Sequence, residues 1–176
     1  MTSYIALLRG INIGGHKKVP MADLKKMLEK MGYENVRTLL NSGNAVFEAA
    51  LQKPEAIAKD IGERMQKTFG FTCDIVVRSA DEIQKLIKEN PFKNIKVTPA
   101  TRLYITFRRT QTKSALKIPY ESPEKDFTIL KVTEGEIVSV LTLGDNGTVD
   151  AMGILEKEYG KNITTRNWNT VLKLVA

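Results

Sequence analysis

The first half of the chain alternates short apolar runs with segments that repeat apolar residues at helical spacing. Two such repeats predict helices, which begin near Pro20 and Pro54 and end near Gly32 and Gly70. Four apolar runs predict strands, at residues 4–9, 36–40, 45–47 and 74–78. The resulting order, strand, helix, strand, strand, helix, strand, is the split βαβ arrangement of ferredoxin-like domains.

The second half repeats this order after a linking helix that begins at Ser79. The pattern predicts strands at residues 102–108, 127–132, 137–143 and 163–165, and helices at 113–117 and 149–159. The alternation of Leu103, Ile105 and Phe107 is typical of a half-buried strand.

We therefore predict an α+β fold built from two tandem ferredoxin-like βαββαβ units with antiparallel sheets. An apolar stripe from Trp168 to the end predicts a final C-terminal helix. The first domain is predicted to span residues 1–79. The second, residues 80–176, holds the linking helix, the second unit and the C-terminal helix.

Composition favours an ordinary globular protein, since 42% of the residues are hydrophobic and 27% are charged. Cys73 is the single cysteine, so no intramolecular disulfide is expected, and a single histidine makes a metal site unfavourable. No apolar run approaches the roughly 20 residues of a membrane span, and the N-terminus lacks the pattern of a secretory signal. We predict a cytoplasmic protein with no membrane partner, and no motif for a cofactor is present.

A glycine-rich, basic loop offers the strongest indication of chemistry. The net charge is +7, and residues 9–26 hold five basic side chains and one acidic side chain. The loop joins a strand to a helix, where backbone N–H groups and lysines favour an anion. It is not a P-loop, because His16 follows the last glycine. The candidate residues are Arg9, Asn12, Gly14, Gly15, His16, Lys17 and Lys18.

The same residues have a structural interpretation. The loop then is a glycine-rich turn with solvated lysines, in which Arg9 and Asn12 bond its own carbonyl groups and His16 is an exposed loop residue.

Two further groups of candidates lie elsewhere in the chain. Ser42 and Asn44 belong to a predicted hairpin, and their side chains suit that turn. We expect the hairpin and the glycine-rich loop to lie at opposite ends of the first sheet. Arg166, Asn167 and Trp168 belong to the second half, where Trp168 is either a core residue or a stacking platform.

Three segments resemble a known family: LLRGINIGG at residues 7–15 with KVPM at 18–21, NSGN at 41–44 before Val46 and Phe47, and TTRNWNT at 164–170. The tripeptide NPF at residues 90–92 is also similar. They resemble the bacterial family of uncharacterised proteins catalogued as domain of unknown function 1697. The resemblance implies the duplicated ferredoxin-like fold and a cytosolic location. It implies no catalytic residue, cofactor or substrate.

Three functions stay open. The first is capture of a small anionic or nucleotide-like ligand by residues 9–18. The second is binding of RNA or another single-stranded nucleic acid through an RNA-recognition-type sheet, with Tyr4, Phe47 and Tyr104 as stacking aromatics. The third is a small-molecule enzyme of unknown class, with Arg9 and His16 as the first catalytic suspects.

Overall fold

The computed structural model describes residues 1–145 and 147–176, which form two compact units. Unit 1 comprises Met1–Lys85 and Leu174–Ala176, and unit 2 comprises Leu86–Lys173. Five helices and two antiparallel sheets make up this described part of the chain, so the fold is mixed α and β. The domain boundary after residue 79 stays a prediction.

Unit 1 is built on a four-stranded sheet with strand order β2-β3-β1-β4. Its elements are β1 (Thr2–Leu8), α1 (Met21–Lys30), β2 (Glu34–Leu39), β3 (Asn44–Ala49), α2 (Pro54–Phe69) and β4 (Ile75–Ser79). Helix α3 (Ala80–Glu89) follows β4 and opens with the capping box of Ser79 and Glu82, in which Glu82 accepts the Ser79 N–H at 2.8 Å.

The core of unit 1 lies between one face of this sheet and helices α1 and α2. Leu24 of α1 and Ile61 of α2 are fully buried in one cluster with Tyr4 and Phe47 of the central strands. The predicted helical spacing explains this, because residues three and four apart share one face of a helix. Helix α2 ends at Gly70, whose φ of 80° favours glycine.

Unit 2 contains a five-stranded sheet with strand order β6-β7-β8-β5-β9. Its elements are β5 (Thr101–Arg108), β6 (Tyr120–Glu121), β7 (Phe127–Val132), β8 (Glu136–Thr142), α4 (Ala151–Tyr159), β9 (Ile163–Asn167) and α5 (Trp168–Leu174). Its core joins Phe127 and Ile137 of the sheet to Leu155 and Tyr159 of α4. None of the helices in the described ranges has the length and hydropathy needed to cross a membrane.

The helix predicted at residues 113–117 is wrong, because this segment is irregular. The Ser114 hydroxyl accepts the N–H of Leu116 at 3.1 Å and donates to Glu158 at 2.8 Å. Such a local side-chain bond competes with helical hydrogen bonding, and a five-residue helix is too short to be stable by itself. Unit 2 therefore has no helix between its first strand and β7.

The central strands of the two sheets have corresponding neighbours. Strand β1 lies between β3 and β4, and β5 lies between β8 and β9. The N–H of Leu8 donates to Gly43 O at 2.9 Å, and the N–H of Arg108 donates to Gly135 O at 2.8 Å. The pairs of β1 with β4 and of β5 with β9 run in the same register. Each position of β1 thus corresponds to the position 100 residues later in β5.

Candidate functional site

The glycine-rich loop leaves the sheet of unit 1 where β1 ends. Its first residue, Arg9, is half-buried, and its N–H donates to Asp74 O at 2.9 Å. The loop then folds back on itself, since the N–H of Asn12 donates to Lys17 O and that of His16 donates to Ile13 O, each at 3.1 Å. The loop is therefore a defined small hairpin.

The Asn12 side chain connects the loop to its surroundings. Its Nδ2 donates to Val19 O at 2.9 Å and to Asn41 O at 2.8 Å, and its Oδ1 accepts the Val19 N–H at 2.7 Å. The backbone of Asn12 has a φ of 57°, a conformation that asparagine tolerates better than most residues. Asn12 thus has the structural role that the sequence left as an alternative to ligand binding.

The expectation that the loop and the β2–β3 hairpin lie at opposite ends of the sheet is wrong. Strands β1 and β3 are antiparallel neighbours, with Leu7 opposite Asn44. The end of β1 therefore meets the beginning of β3, where the hairpin lies. A side chain on Gly43 would begin 2.7 Å from the Ile11 side chain, which shows how closely the two segments pack.

The polar residues of that hairpin support the turn. Asn44 is fully buried, and its Nδ2 donates to Leu39 O at 2.8 Å and to the Ser42 hydroxyl at 3.0 Å. Sequence reasoning named Ser42 and Asn44 but missed Asn41, whose carbonyl oxygen binds Asn12. The antiparallel pairing of β1 and β3, which follows from the predicted topology, could have indicated it.

A pocket of about 320 Å³ opens between the loop and the hairpin. Gly15, Lys18 and Asn41 line it, and so does Pro20 at the start of α1. Gly14, His16 and Lys17 are exposed on the same loop but do not line the pocket. Among the described residues, the N–H groups of Gly14, Gly15 and Lys18 make no hydrogen bond. The pocket thus combines backbone donors with lysine charge.

The C-terminal candidates belong to a different environment, within unit 2. Arg166 is 7% exposed, and its Nη1 donates to the Thr164 hydroxyl at 2.7 Å and to Thr165 O at 3.0 Å. Trp168 is 9% exposed and contacts Phe92 edge to face, with ring centroids 5.2 Å apart. Asn167 is exposed at the end of β9. Trp168 is therefore a core residue.

Two of the three aromatic residues considered for base stacking are buried. Tyr4 is 1% exposed, and Phe47 is fully buried against Tyr33, with ring centroids 4.5 Å apart. The Tyr4 hydroxyl donates to Gln52 O at 2.9 Å. Tyr104 is half-buried against the core of unit 2. The expectation that Tyr4 and Phe47 serve as stacking aromatics is therefore wrong.

Metal ligands are not assembled in the part of the chain that the structure describes. No group of three or more His, Cys, Asp or Glu residues there could hold a metal ion. Cys73 is half-buried, with its Sγ 4.0 Å from the Met65 sulfur.

Comparison with known proteins gives a family and a fold. A solved structure of a conserved bacterial protein from Streptococcus pneumoniae superposes with a TM-score of 0.68 at 21% identity, covering 99% of this chain and 97% of that chain. At this identity the likeness shows the fold alone. No curated protein matches the chain. The family model described as Protein of unknown function (DUF1697) matches residues 1–137 of the 176. The resemblance noted in the sequence is thereby confirmed, and the chain belongs to the DUF1697 family.

Proposed function

We propose that the protein binds a small anion, through a phosphate or carboxylate group, at residues 9–18 of unit 1. The observation that carries the proposal is the 320 Å³ pocket lined by Gly15 and Lys18, whose N–H groups, like that of Gly14, make no hydrogen bond among the described residues. Backbone donors that make no internal hydrogen bond can bind an anion without breaking one.

The charges around the pocket favour the same ligand. Lys17 and Lys18 contribute two positive charges, and the N-terminus of α1 beyond Pro20 adds a partial positive charge. Asp23, in the first turn of α1, offsets part of this charge. Because the site is open to water, each lysine contributes about 0.2–1 kcal/mol, and salt weakens the interaction. The expected affinity is therefore modest unless the ligand also fills the pocket.

We also propose that the chain is a tandem duplication of ferredoxin-like units in a cytoplasmic protein. The shared order of four strands and the common register of β1 and β5 support the duplication. In unit 2 an irregular segment and β6 take the place of the first helix. The single cysteine suits the reducing cytosol.

The proposal is tested by titrating the ¹⁵N-labelled protein with inorganic phosphate and following amide chemical shifts. We expect saturable shifts at Gly14 and Gly15. Replacing both Lys17 and Lys18 by alanine is expected to weaken binding about threefold to tenfold.

The matched control replaces Lys25 and Lys26 by alanine, because these exposed lysines change the charge equally but lie on α1, outside residues 9–18. Equal weakening by both double variants would show general charge attraction and contradict a loop site. Unchanged shifts at Gly14 and Gly15 across the titration would also reject the proposal.

A further inference from the structure

Two large aliphatic residues are exposed beside the pocket of unit 1. Ile13, on the glycine-rich loop, is 66% exposed, and Leu40, in the β2–β3 hairpin, is 52% exposed. Ile13 directly follows Asn12, which lines the pocket. Leu40 directly precedes Asn41, which also lines it and accepts a hydrogen bond from Asn12 Nδ2 at 2.8 Å. Apolar residues therefore lie on both segments that enclose the pocket.

The backbone conformation of Leu40 is unfavourable for leucine. Its φ is 58°, in the left-handed region, where a bulky side chain is rare and asparagine or glycine is favoured. Since Leu40 is also largely exposed, its contacts with the rest of the unit compensate for only part of this cost. Residues held in such conformations concentrate at ligand sites. The stability of the turn therefore does not explain a leucine at this position.

Ile13 differs from the other isoleucine of the loop. Ile11 is 1% exposed, and its side chain packs where Gly43 of the hairpin approaches, 2.7 Å from the position of a β-carbon on that glycine. Ile13 takes part in the loop through its carbonyl oxygen, which accepts the His16 N–H at 3.1 Å. Any residue type offers that oxygen, so the loop does not require an apolar side chain at position 13.

The pocket itself combines anion-binding groups with apolar residues. Its lining includes Val19 and Pro20 beside Gly15 and Lys18. Of the lining residues in the described part of the chain, Lys18 alone carries a charge. Asp23, the acidic residue in the first turn of α1, is not among them. An anionic group bound at Gly15 and Lys18 thus lies next to apolar residues.

We propose that the anion bound at this site is the phosphate group of a small amphipathic molecule, an organic phosphate whose apolar body contacts Ile13 and Leu40. Since this ligand class rests on the anion site proposed above, it narrows that site to one kind of molecule. The terminal oxygens of a phosphate monoester accept hydrogen bonds from the N–H groups of Gly15 and Lys18 and pair with the lysine ammonium. An apolar body also removes Ile13 and Leu40 from water, which the polar body of a sugar phosphate does not do.

The test titrates protein labelled with ¹⁵N, and with ¹³C in its Ile and Leu methyl groups, with phenyl phosphate, glycerol phosphate and inorganic phosphate. Phenyl phosphate and glycerol phosphate are both phosphate monoesters, and only the first has an apolar body. We expect all three to shift the amides of Gly14 and Gly15, and phenyl phosphate alone to shift the methyl groups of Ile13 and Leu40. Phenyl phosphate is expected to bind about tenfold more tightly than glycerol phosphate, which corresponds to burial of about 60 Å² of apolar surface.

Two substitutions remove the exposed apolar surface. Leu40→Asn is expected to weaken phenyl phosphate binding about threefold to fivefold, and Ile13→Thr about twofold to threefold, while glycerol phosphate binding stays unchanged. Leu40→Asn is also expected to slow native-state hydrogen exchange of the β1 amides about threefold, because asparagine tolerates a φ of 58° better than leucine does. Faster exchange in this variant would mean that the leucine is retained for the stability of the turn, and would contradict the proposal.

Leu51→Asn is the matched control. Leu51 is 83% exposed and follows β3 at the end of the strand away from the hairpin. The substitution makes the same change of residue type within the same unit, and it is expected to leave phenyl phosphate binding unchanged.

Equal binding of phenyl phosphate and glycerol phosphate, with shifts at Gly14 and Gly15 in both titrations, would overturn the ligand class and leave the anion site in place. Phenyl phosphate binding that neither Leu40→Asn nor Ile13→Thr alters would also overturn it. Absence of shifts at Gly14 and Gly15 with all three probes would reject the anion site, and the ligand class with it. Sedimentation with phosphatidylglycerol vesicles that Leu40→Asn abolishes, without a preference for phenyl phosphate, would assign these residues to a lipid surface and overturn a soluble ligand.

Discussion

The Asn12 side chain joins the glycine-rich loop to the β2–β3 hairpin, so its removal tests how the site in unit 1 is built. Asn12→Ala removes the donor to Val19 O, the donor to Asn41 O and the acceptor of the Val19 N–H, bonds of 2.9, 2.8 and 2.7 Å. It also leaves alanine at a φ of 57°, a backbone conformation that asparagine tolerates better than alanine does.

The expected loss follows from these contacts. Each hydrogen bond contributes about 0.5–1.5 kcal/mol, so three contribute about 3 kcal/mol. Alanine in the left-handed region adds about 1 kcal/mol, which gives a total of about 4 kcal/mol. Asn12→Gly loses the same bonds but tolerates this φ, so its loss is expected to be about 1 kcal/mol smaller.

The assay must report on unit 1. Trp168, the single tryptophan, lies in unit 2, so its fluorescence follows the other part of the chain. Native-state hydrogen exchange of the β1 amides, such as that of Ala6, gives the free energy of opening directly. A loss below about 1 kcal/mol for Asn12→Ala, or an equal loss for Asn12→Gly, would refute the reasoning.

Three further outcomes are expected. Gly43→Ala is expected to lower the free energy of unfolding by more than about 2 kcal/mol, since the new methyl group would meet the Ile11 side chain at 2.7 Å and φ is 93°. Hydrogen bonds from the Ser122 hydroxyl and the Val149 N–H lower the pKa of Asp126. Its carboxylate therefore stabilises the fold above the ordinary pKa of about 4, and this contribution is lost as pH falls through the folded pKa. Arg37→Gln, which removes the 2.8 Å bond to Leu174 O, is expected to speed amide exchange at residues 173–176 about fivefold.

Each of these has its own control. Gly32→Ala, at a φ of 90° with no neighbouring atom within 4 Å, is expected to cost only about 1 kcal/mol, and an equal cost at Gly43 would contradict the packing argument. For Asp126, the melting temperatures of the wild type and of Asp126→Asn are compared from pH 7 to below pH 4. The difference between the two melting temperatures should narrow at the lower pH, and a constant difference would contradict the stabilising role of the carboxylate. Arg64→Gln serves as the matched control for Arg37, and equal exchange in both variants would exclude an anchoring role.

The elements that the sequence predicted well are those whose partners lie close along the chain. Helix α2 begins at Pro54, presents Ile57 and Ile61 to the core and ends at Gly70. Each of these features depends on residues within one or two turns, so local pattern is sufficient. The helix predicted at residues 113–117 was wrong because another local interaction competes with it. The Ser114 hydroxyl accepts a hydrogen bond from a nearby N–H, which disfavours helical hydrogen bonding.

The site was harder to predict because its partners are backbone groups distant in sequence. Asn12 bonds the carbonyl oxygen of Asn41, 29 residues away, and any residue type offers that oxygen. The predicted strand order nevertheless contained the information, since antiparallel central strands bring the end of β1 to the beginning of β3. The error lay in placing the loop and hairpin, and not in the order of the elements.

Strand β5 shows a different limit of pattern reasoning. The alternation of Leu103, Ile105 and Phe107 indicated a half-buried strand with polar residues in solvent. In the structure, Ile105 to Phe107 are completely buried and Arg108 nearly so. The half-buried interpretation is therefore wrong for the second half of β5. Residues 105–107 of β5 are buried on both faces of the strand, and alternation of residue types does not by itself show that Thr106 and Arg108 are buried.

Comparison of corresponding positions in the two units shows where unit 2 has a polar residue in place of an apolar core residue. Tyr4 pairs with Phe47, and the corresponding Tyr104 pairs with Ser139, so a buried phenyl ring in unit 1 has a buried hydroxyl as its counterpart. The Ser139 hydroxyl has no hydrogen-bond partner among the described residues, which costs about 1–3 kcal/mol. Arg108, on the same face of this sheet, adds a second substitution of the same kind. Ser139 and Arg108 are thus polar at positions where unit 1 has apolar core residues, and Arg108 also lines a 600 Å³ cavity. A gain in stability does not explain either residue. The core of unit 1 is therefore more apolar at these positions than the core of unit 2.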